Sequence, residues 1–203
     1  MSYRKYKVNL NFFKKWSLEM AWVLGIVCSD GHLGKSSNNG GRLNIGMQDK
    51  DVLEKIKKVM NSEHPIRKKD FSKYKYGTWY WFLDIGSKEI YQDLKKLGLT
   101  ENKSKTLKFP NVPPRLLSHF VRGYFEGDGT ILKHGKKKRL SITSSKEFIK
   151  KLSQILLSLG FGNFTGQIGG SYFLTSYTSN DIFPWIYKNH KGLFMNRKFN
   201  LVY

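Results

Sequence analysis

Two stretches of the sequence decide the fold: WVLGIVCSDGHL at residues 22–33 and FVRGYFEGDGTI at residues 120–131. Each is an apolar run that contains a glycine, ends in Asp-Gly and passes into a strand-like segment. After each stretch, a strand followed by a polar N-cap and an amphipathic helix occurs twice, in the same order. Matched segments in matched order indicate an internal duplication. The chain is therefore predicted to consist of two similar halves.

The secondary-structure pattern predicts helix–strand–strand–helix–strand–strand–helix, given twice. The first helix is expected over about residues 17–30 with Ser17 as its N-cap, and its counterpart over about 113–128, opened by the Pro113-Pro114 pair. Ser87 and Ser179 are the predicted N-caps of the last helix in each half. In the first half, strands are expected at 64–71 and 76–86, with a hairpin turn at Lys73–Gly77 between them.

Four segments follow from this pattern. They are a basic, aromatic N-terminal arm at 1–16, a first subdomain at 17–98, an extended linker at 99–112 and a second subdomain at 113–203.

The charge of the chain indicates a polyanionic partner. The 203 residues include 36 Lys and Arg against 15 Asp and Glu, which gives a net charge of +21, and the pI is about 10.0. The charge is shared between residues 1–110 (+11) and residues 111–203 (+10), so it is not a basic tail on a neutral domain. This composition excludes an acidic disordered chain and a disulfide scaffold, because Cys28 is the only cysteine. We expect an intracellular protein without a membrane span.

Small residues lie four apart in both apolar helices, Gly25 with Ser29 and Gly123 with Gly127. Residues at this spacing share one helix face, so the two helices are predicted to pack closely side by side. Asp30 and Asp128 would then meet at two negative helix ends. Such a cluster becomes favourable around a divalent cation such as Mg²⁺, which can activate water against a phosphodiester. The alternative is that Asp-Gly is only a C-capping turn.

The segments VLGIVCSDG at 23–31 and VRGYFEGDG at 121–129 resemble the two copies of the LAGLIDADG motif of homing endonucleases. The flanking segments FFKKWSLEMAWVLG and LGLTENKSKTLKFPNVPPRLLSHFVRGYFEGDG are similar to the family as well, so the resemblance covers nearly the whole chain. It implies an α/β (α+β) chain with a duplicated αββαββα fold and pseudo-twofold symmetry. Two curved antiparallel sheets would form a saddle for double-stranded DNA, in a monomer that needs Mg²⁺, with Mn²⁺ or Ca²⁺ able to substitute in binding.

The resemblance also implies roles for individual residues. Asp30 and Asp128 correspond to the metal-binding catalytic carboxylates, and Gly31 and Gly129 would contribute backbone at the same place. Gln48 matches a polar residue that positions water near the metals.

The counterpart of Gln48 in the second half is Ser144, whose side chain is shorter. Lys103 and Lys198 fit the lysine that the family has near each active centre. The sequence departs from the motif at Cys28-Ser29 and at Glu126 but keeps both final aspartates.

Candidate DNA contacts are basic residues near predicted strand ends. The tract Lys136, Lys137, Lys138 and Arg139 is predicted to be a hairpin turn, either merely solvated or in contact with phosphates from a β-ribbon in the major groove. Arg42 and Arg197 are the other two candidates.

The favoured function is a site-specific homing endonuclease that makes a metal-dependent double-strand break in a long DNA target. A non-cleaving DNA-binding regulator or an RNA maturase with the same fold remains an alternative. Met1 opens the chain without a splicing Cys or Ser, and Leu-Val-Tyr ends it without His-Asn, so an intron-encoded or free-standing enzyme is expected rather than an intein.

Overall fold

A computed structural model describes residues 6–35, 40–73, 78–134, 137–177 and 179–203. The first half contains α1 (Leu18–Asp30), β1 (Gly31–Gly34), β2 (Arg42–Met47), α2 (Lys50–Val59), β3 (Ile66–Asp70), β4 (Trp79–Gly86) and α3 (Lys88–Lys96). The second half contains α4 (Leu117–Asp128), β5 (Gly129–His134), β6 (Lys137–Ser144), α5 (Lys146–Ser158), β7 (Asn163–Ile168), β8 (Ser171–Ser176), α6 (Ser179–Tyr187) and a final helix, α7 (Asn196–Val202). The predicted duplicated αββαββα order is confirmed.

Each half contributes one four-stranded antiparallel sheet with the same topology. The strand orders are β1-β2-β4-β3 and β5-β6-β8-β7. In the first sheet Ile45 lies opposite Gly31 and Leu83. In the second sheet Ile142 occupies the equivalent place, opposite Gly129 and Leu174. The matched register shows that the duplication in the sequence is a pseudo-twofold repeat in the fold.

The core lies between the sheets and the two central helices, α1 and α4. Alternate strand residues face it because side chains in a strand point to opposite faces in turn. These buried residues are Leu43, Ile45, Leu83 and Ile85 in the first sheet and Leu140, Ile142 and Leu174 in the second. The intervening residues therefore form a second face on each sheet, directed away from the helices. In the described part of the chain, no helix is long and apolar enough to span a bilayer.

The first residues of α1 and α4 test the two predicted helix starts. Ser17 caps α1 by accepting a hydrogen bond from the backbone N–H of Met20 at 3.1 Å, as predicted. The α4 helix begins at Leu117 rather than 113, after a 3-10 turn at Pro114–Leu116. Pro113 has a ψ of 137° because a residue that precedes a proline is disfavoured in helical conformation.

Four other local predictions need correction or fall outside the described residues. The linker is not wholly extended, since Lys103–Lys105 form a 3-10 turn, which the backbone N–H of Thr106 closes by donating to the Lys103 carbonyl at 3.0 Å. The basic tract is strand from Lys137 onward, because β6 extends further toward the turn than predicted. Ser179 is the first residue of α6. The predicted hairpin turn includes residues 74–77, which lie outside the described residues.

The segment before α1 packs onto the first half. Phe12 and Phe13 are buried in the core, and the backbone N–H of Asn9 donates to the carbonyl of Met60 at the end of α2. Residues 6–16 therefore carry apolar anchors as well as basic side chains.

Candidate active site

The α1 and α4 helices touch through their backbones where Gly25 and Gly123 cross. A Cβ added to Gly25 would lie 2.6 Å from the backbone nitrogen of Tyr124 and 2.9 Å from the Cα of Gly123. A Cβ added to Gly123 would overlap the carbonyl oxygen of Trp22 and lie 3.1 Å from the nitrogen of Ile26. Neither helix can carry a side chain at this crossing, so the two glycines set the distance between the helices.

A second small-residue contact brings the helix ends together. A Cβ added to Gly127 would overlap Ser29 Oγ and Asp30 Oδ2 and would lie 2.6 Å from Ser29 Cβ. Ser29 Oγ in turn lies 2.9 Å from the carbonyl of Ile26, to which it donates, and 3.1 Å from Asp30 Oδ2. The C-terminal ends of α1 and α4 therefore meet, and they bring Asp30 and Asp128 to the same place.

The two carboxyl groups are partly desolvated, and they lie close enough for the charge of Asp128 to raise the pKa of Asp30. Burial, and next the negative charge of Asp128, raise the pKa of Asp30 to about 6. Burial also raises the pKa of Asp128, against the lowering effect of Lys103 and Lys198. Two like charges in a poorly hydrated place are unfavourable unless cations are near.

Lys103 and Lys198 provide cations at this place. Lys103 is 9% exposed, and its Nζ donates to the carbonyl of Ser29 at 2.6 Å. Lys198 is 6% exposed, and its Nζ donates to the carbonyls of Phe125 at 2.7 Å and Gly129 at 2.6 Å. Each lysine thus caps one central helix, where the carbonyl groups carry the negative end of the dipole.

Burial at this position disfavours the charged form of both lysines. Burial, and next the charge of the neighbouring Arg197, lower the pKa of Lys198 to about 8. Burial also lowers the pKa of Lys103. The site therefore contains two carboxyl groups and two amino groups, all held in positions where water is scarce.

A cavity of about 310 Å³ opens beside Asp128. Its polar lining includes Lys103, Tyr124, Thr143 and Ser144. Cys28 also borders it, and burial raises the pKa of this thiol to about 12, so the thiol is no nucleophile at neutral pH. Ser144 ends β6, and by the shared register of Ile45 and Ile142 it corresponds to Met47 at the end of β2. Gln48 therefore corresponds to Ser145 and not, as the sequence predicts, to Ser144.

The donors at the site fit a divalent cation. The described residues contain no cluster of three or more His, Cys, Asp or Glu side chains that could hold a metal ion. Two carboxylates, water and substrate phosphate oxygens are, however, the ligand set typical of Mg²⁺ in enzymes that act on phosphates. Asp30 and Asp128 would hold such an ion. The backbone of Gly129 is already an acceptor for Lys198, whereas Gly31 ends α1 with its N–H bonded to the carbonyl of Val27.

The sheet faces that point away from the core differ between the halves. Cross-strand partners share a face, so the register assigns to this face of the first sheet His32, Arg42, Asn44, Arg67, Lys69, Tyr80, Phe82 and Asp84. The same argument assigns to the second sheet Thr130, Leu132, Lys137, Arg139, Ser141, Thr143 and Phe173. Both faces carry basic side chains, and the second carries more hydroxyl groups.

The structure places some of the predicted DNA contacts on the outer sheet faces and others elsewhere. Arg42 lies on the outer face, with Nε 3.5 Å from Asp84 Oδ1, and Lys137 and Arg139 lie on the equivalent face. Lys138 does not, because strand alternation turns it toward α7, where its Nζ donates to the carbonyl of Val202 at 2.8 Å. Lys136 lies outside the described residues.

Arg197 also forms hydrogen bonds within the protein. Its Nε and one terminal nitrogen donate to both carboxylate oxygens of Asp49, at 3.0 and 2.9 Å. Asp49 is the N-cap residue of α2, so this ion pair ties α7, and with it Lys198, to the first half. Sequence reasoning had offered Arg197 as a DNA contact.

Sequence reasoning missed a buried polar group inside the helix pair. Glu126 is fully buried and accepts a hydrogen bond from the indole N–H of Trp22 at 2.7 Å. Burial raises the pKa of Glu126 to about 7, while Trp22 and Arg122 lower it. Glu126, the residue that departs from the motif, therefore forms a hydrogen bond between α4 and α1. Its only signal in the sequence was an acidic residue in an apolar helix.

The family comparison agrees with this geometry. Residues 116–165 match the family model of the LAGLIDADG-like domain. This match covers α4 to β7 of the second half, and the two motifs and the two-sheet fold of the chain support the same LAGLIDADG family.

Among proteins similar in sequence, the probable translation initiation factor IF-2 of Methanocaldococcus jannaschii is 26% identical over 189 residues, which is 88% of this chain and 15% of that protein. The replication factor C small subunit of the same organism is 31% identical over 151 residues, which is 70% of this chain and 7% of that protein. The chain therefore spans less than a sixth of the length of each of these two curated relatives.

Solved structures share the fold at low identity. The homing endonuclease I-WcaI bound to its DNA recognition sequence superposes with a TM-score of 0.68 and 14% identity, over 95% of this chain and 91% of that chain. I-DmoI in complex with DNA and Mn gives 0.53 and 19%, over 88% and 96%. Full-length DUF199/WhiA from Thermatoga maritima gives 0.58 and 13%, over 96% and 62%.

Proposed function

We propose that this chain is a site-specific endonuclease of the homing type that makes a metal-dependent double-strand break in duplex DNA. The observation that carries the proposal is the meeting of Asp30 and Asp128 at the paired helix ends, each end capped by a buried lysine. Two equivalent carboxylates and two equivalent lysines suit two phosphodiester cuts, one in each strand. A nuclease with a single centre would not need the second set.

The carboxylates and the lysines at the site would have different chemical roles. A divalent cation bound by Asp30 and Asp128 would supply a water of lowered pKa and would polarise the phosphate. Lys103 and Lys198 place positive charge near the negative charge that develops on the phosphate oxygens in the transition state. Because both amino groups are already fixed to helix carbonyls, little reorganisation is needed when the substrate binds.

Duplex DNA is the proposed partner, bound by the two outward sheet faces of a monomer. The net charge of +21 supports phosphate contacts. The side chains of Arg67, Lys69, Lys137 and Arg139 on these faces support them further, because a β-ribbon fits the major groove. I-WcaI and I-DmoI, which share this fold, were both solved with DNA.

The homing role draws support from the curated relatives. A translation initiation factor and a replication factor subunit have unrelated functions, yet both contain a segment similar to this chain that makes up 15% and 7% of their lengths. A module found inside unrelated hosts fits a gene that inserts itself at new DNA sites. Its endonuclease would cut the site of insertion.

A non-cleaving DNA-binding protein is the second candidate, and the likeness to full-length DUF199/WhiA favours it. That likeness extends the fold beyond proteins that are named as endonucleases, so the fold alone does not imply cleavage. The carboxylates and lysines of this chain are what support cleavage here. A cleavage assay with Mg²⁺, run beside a binding assay, separates the two candidates, since only an endonuclease yields a discrete pair of cuts that Asp30→Asn removes.

A further inference from the structure

We propose that Tyr124 is a positioning residue of the Asp128 centre, where its hydroxyl group, together with Ser144, orients the carboxylate and so makes the two centres chemically unequal. This inference rests on the proposed endonuclease function. It starts from a break in the pseudo-twofold symmetry. Tyr124 lies four residues before Asp128, on one turn of α4, and the residue four before Asp30 on α1 is Ile26, which is buried and apolar.

The ring of Tyr124 is fixed by packing. The side chain is 2% exposed, and the ring stacks on Phe148 of α5 with centroids 4.3 Å apart and planes 28° apart. Its hydroxyl group borders the cavity that Asp128, Lys103 and Ser144 also line. A rigid ring therefore delivers one hydroxyl group to a defined point next to the carboxylate.

The hydroxyl group lies between two polar partners. It donates to Ser144 Oγ at 2.8 Å and lies 3.3 Å from the carbonyl of Thr143. Burial raises the pKa of Asp128, and Lys103, Lys198 and, last, the nearby Tyr124 hydroxyl group oppose that rise. A phenol has one hydrogen, so when it points to Asp128, the Ser144 hydroxyl can donate to the phenol oxygen in its place. The pair can therefore hold one carboxylate oxygen while the other stays free for a cation.

The phenol serves as a neutral donor. Burial, and next the charge of Asp128, raise the pKa of Tyr124 well above its ordinary value. The group therefore keeps its proton at neutral pH and is no base for an attacking water. Its contribution is orientation. Side chains that hydrogen-bond to a metal ligand typically change metal affinity or activity about 10–100-fold when they are removed.

The first half reaches the equivalent region differently. The register that makes Ile45 equivalent to Ile142 places Met47 at the position of Ser144. Met47 is buried and apolar, as is Ile26, the counterpart of Tyr124, so the first half has no hydroxyl group at either position. The Tyr124–Ser144 hydrogen bond is therefore a feature of the second half alone.

The test is a strand-resolved comparison of Tyr124→Phe with the unsubstituted protein. A cleavable duplex, labelled at a different end of each strand, is incubated with each protein and Mg²⁺. Tyr124→Phe is expected to slow one strand about 10–100-fold and leave the other within about twofold, so that nicked DNA accumulates. Ser144→Ala should slow the same strand by a smaller factor.

A second readout does not depend on cleavage. The melting temperature of the protein is followed during a titration with CaCl₂, and Tyr124→Phe should shift the Ca²⁺ midpoint about tenfold upward. Tyr187→Phe is the matched control, because Tyr187 is a buried tyrosine of α6 outside the cavity. It should leave the strand ratio and the Ca²⁺ midpoint unchanged.

The outcomes separate this inference from the proposed function. If Tyr124→Phe cuts both strands at wild-type rates, or slows both equally, the positioning role is overturned. If the unsubstituted protein cuts no DNA, the endonuclease proposal fails, and the Ca²⁺ midpoint decides for Tyr124 alone. A midpoint that is unchanged in Tyr124→Phe then overturns the role, and a shifted midpoint supports it.

Discussion

Lys103 and Lys198 hold equivalent positions at the ends of the two central helices, although they lie on different kinds of segment. Lys103 belongs to the 3-10 turn after α3 and donates to Ser29 O at 2.6 Å, and Lys198 belongs to α7 and donates to Gly129 O at 2.6 Å. The duplication therefore includes a closing segment in each half. Each closing segment returns a buried positive charge to the place where the two helix ends meet, and Lys103, which is bonded to α1, lines the cavity beside Asp128 of α4.

This relationship predicts strand-selective loss of activity. Lys198→Met and Lys103→Met should each slow the cutting of one DNA strand, and a different one, by about 10²-fold or more, which is the usual loss when one preorganised donor is removed. The measurement is the rate of each strand's cleavage on an end-labelled duplex. Lys150→Met, an exposed lysine of α5, is the control and should leave both rates unchanged. Equal slowing of both strands by each variant would argue against two separate centres.

The convergence of carboxylates predicts that Asp30 lowers stability in the absence of metal. The pKa of Asp30 is about 6 in the folded protein against an ordinary 3.8, so the folded state binds the extra proton between these values. Stability therefore falls as the pH rises from about 4 to 6, and the loss remains at pH 7. Asp30→Asn should raise the free energy of unfolding at pH 7 by about 1–3 kcal/mol and change it little at pH 4.

Denaturant unfolding at the two pH values, with EDTA present, checks this prediction. Glu147→Gln, at an exposed carboxyl group in the first turn of α5, should show no such gain. A loss of stability in Asp30→Asn at pH 7 would mean that the carboxylate is well satisfied without a cation.

The helix crossing predicts that Gly123 does not tolerate even a methyl group. Alanine gains nearly 1 kcal/mol over glycine in helix propensity, but the added Cβ of Gly123→Ala would overlap the Trp22 carbonyl. Overpacking of about 1–3 kcal/mol should outweigh the gain, and the shift of Asp128 should reduce the cleavage rate more than the stability. Gly162→Ala is the matched control, because its Cβ would meet Tyr177 at an ordinary 3.4 Å. Melting temperature and cleavage rate are measured on both.

Much of the fold follows from local sequence signals. The paired motifs, the Ser17 cap and the alternating strands can be read because the interactions they depend on are short in sequence. The start of α4 was placed too early because Pro113 precedes another proline, which holds its ψ at 137°.

The parts of the site that depend on distant contacts could not be read in this way. Lys138 and Lys137 are neighbours in a basic tract, and only the register of β6 shows which of them faces outward. The Arg197–Asp49 ion pair joins residues 148 positions apart, and the Tyr124 hydroxyl group acquires its meaning only when Ser144 is brought beside it. In each case the three-dimensional packing decides which side chain is free.

The assignment of sheet faces predicts how binding responds to salt. With about 6–10 phosphate contacts, affinity for duplex DNA should fall about 10³–10⁵-fold between 50 and 200 mM salt. Lys69→Gln, on the outward face of β3, should reduce the slope of log affinity against log salt by about 1. Lys138→Gln, at a lysine bonded to the Val202 carbonyl, should leave the slope nearly unchanged. Fluorescence anisotropy with labelled duplexes measures both, and equal slopes for the two variants would contradict the assignment.

The most direct test of the endonuclease proposal is cleavage of source-organism DNA, including the DNA that flanks the gene of this chain. Purified protein is incubated with that DNA and Mg²⁺, and the new ends are sequenced. We expect one or a few discrete double-strand breaks, which disappear with EDTA and with Asp30→Asn or Asp128→Asn, while DNA binding persists in both variants. Unchanged double-strand cutting by either variant, or tight site-specific binding by the unsubstituted protein without any cut, would contradict the proposal.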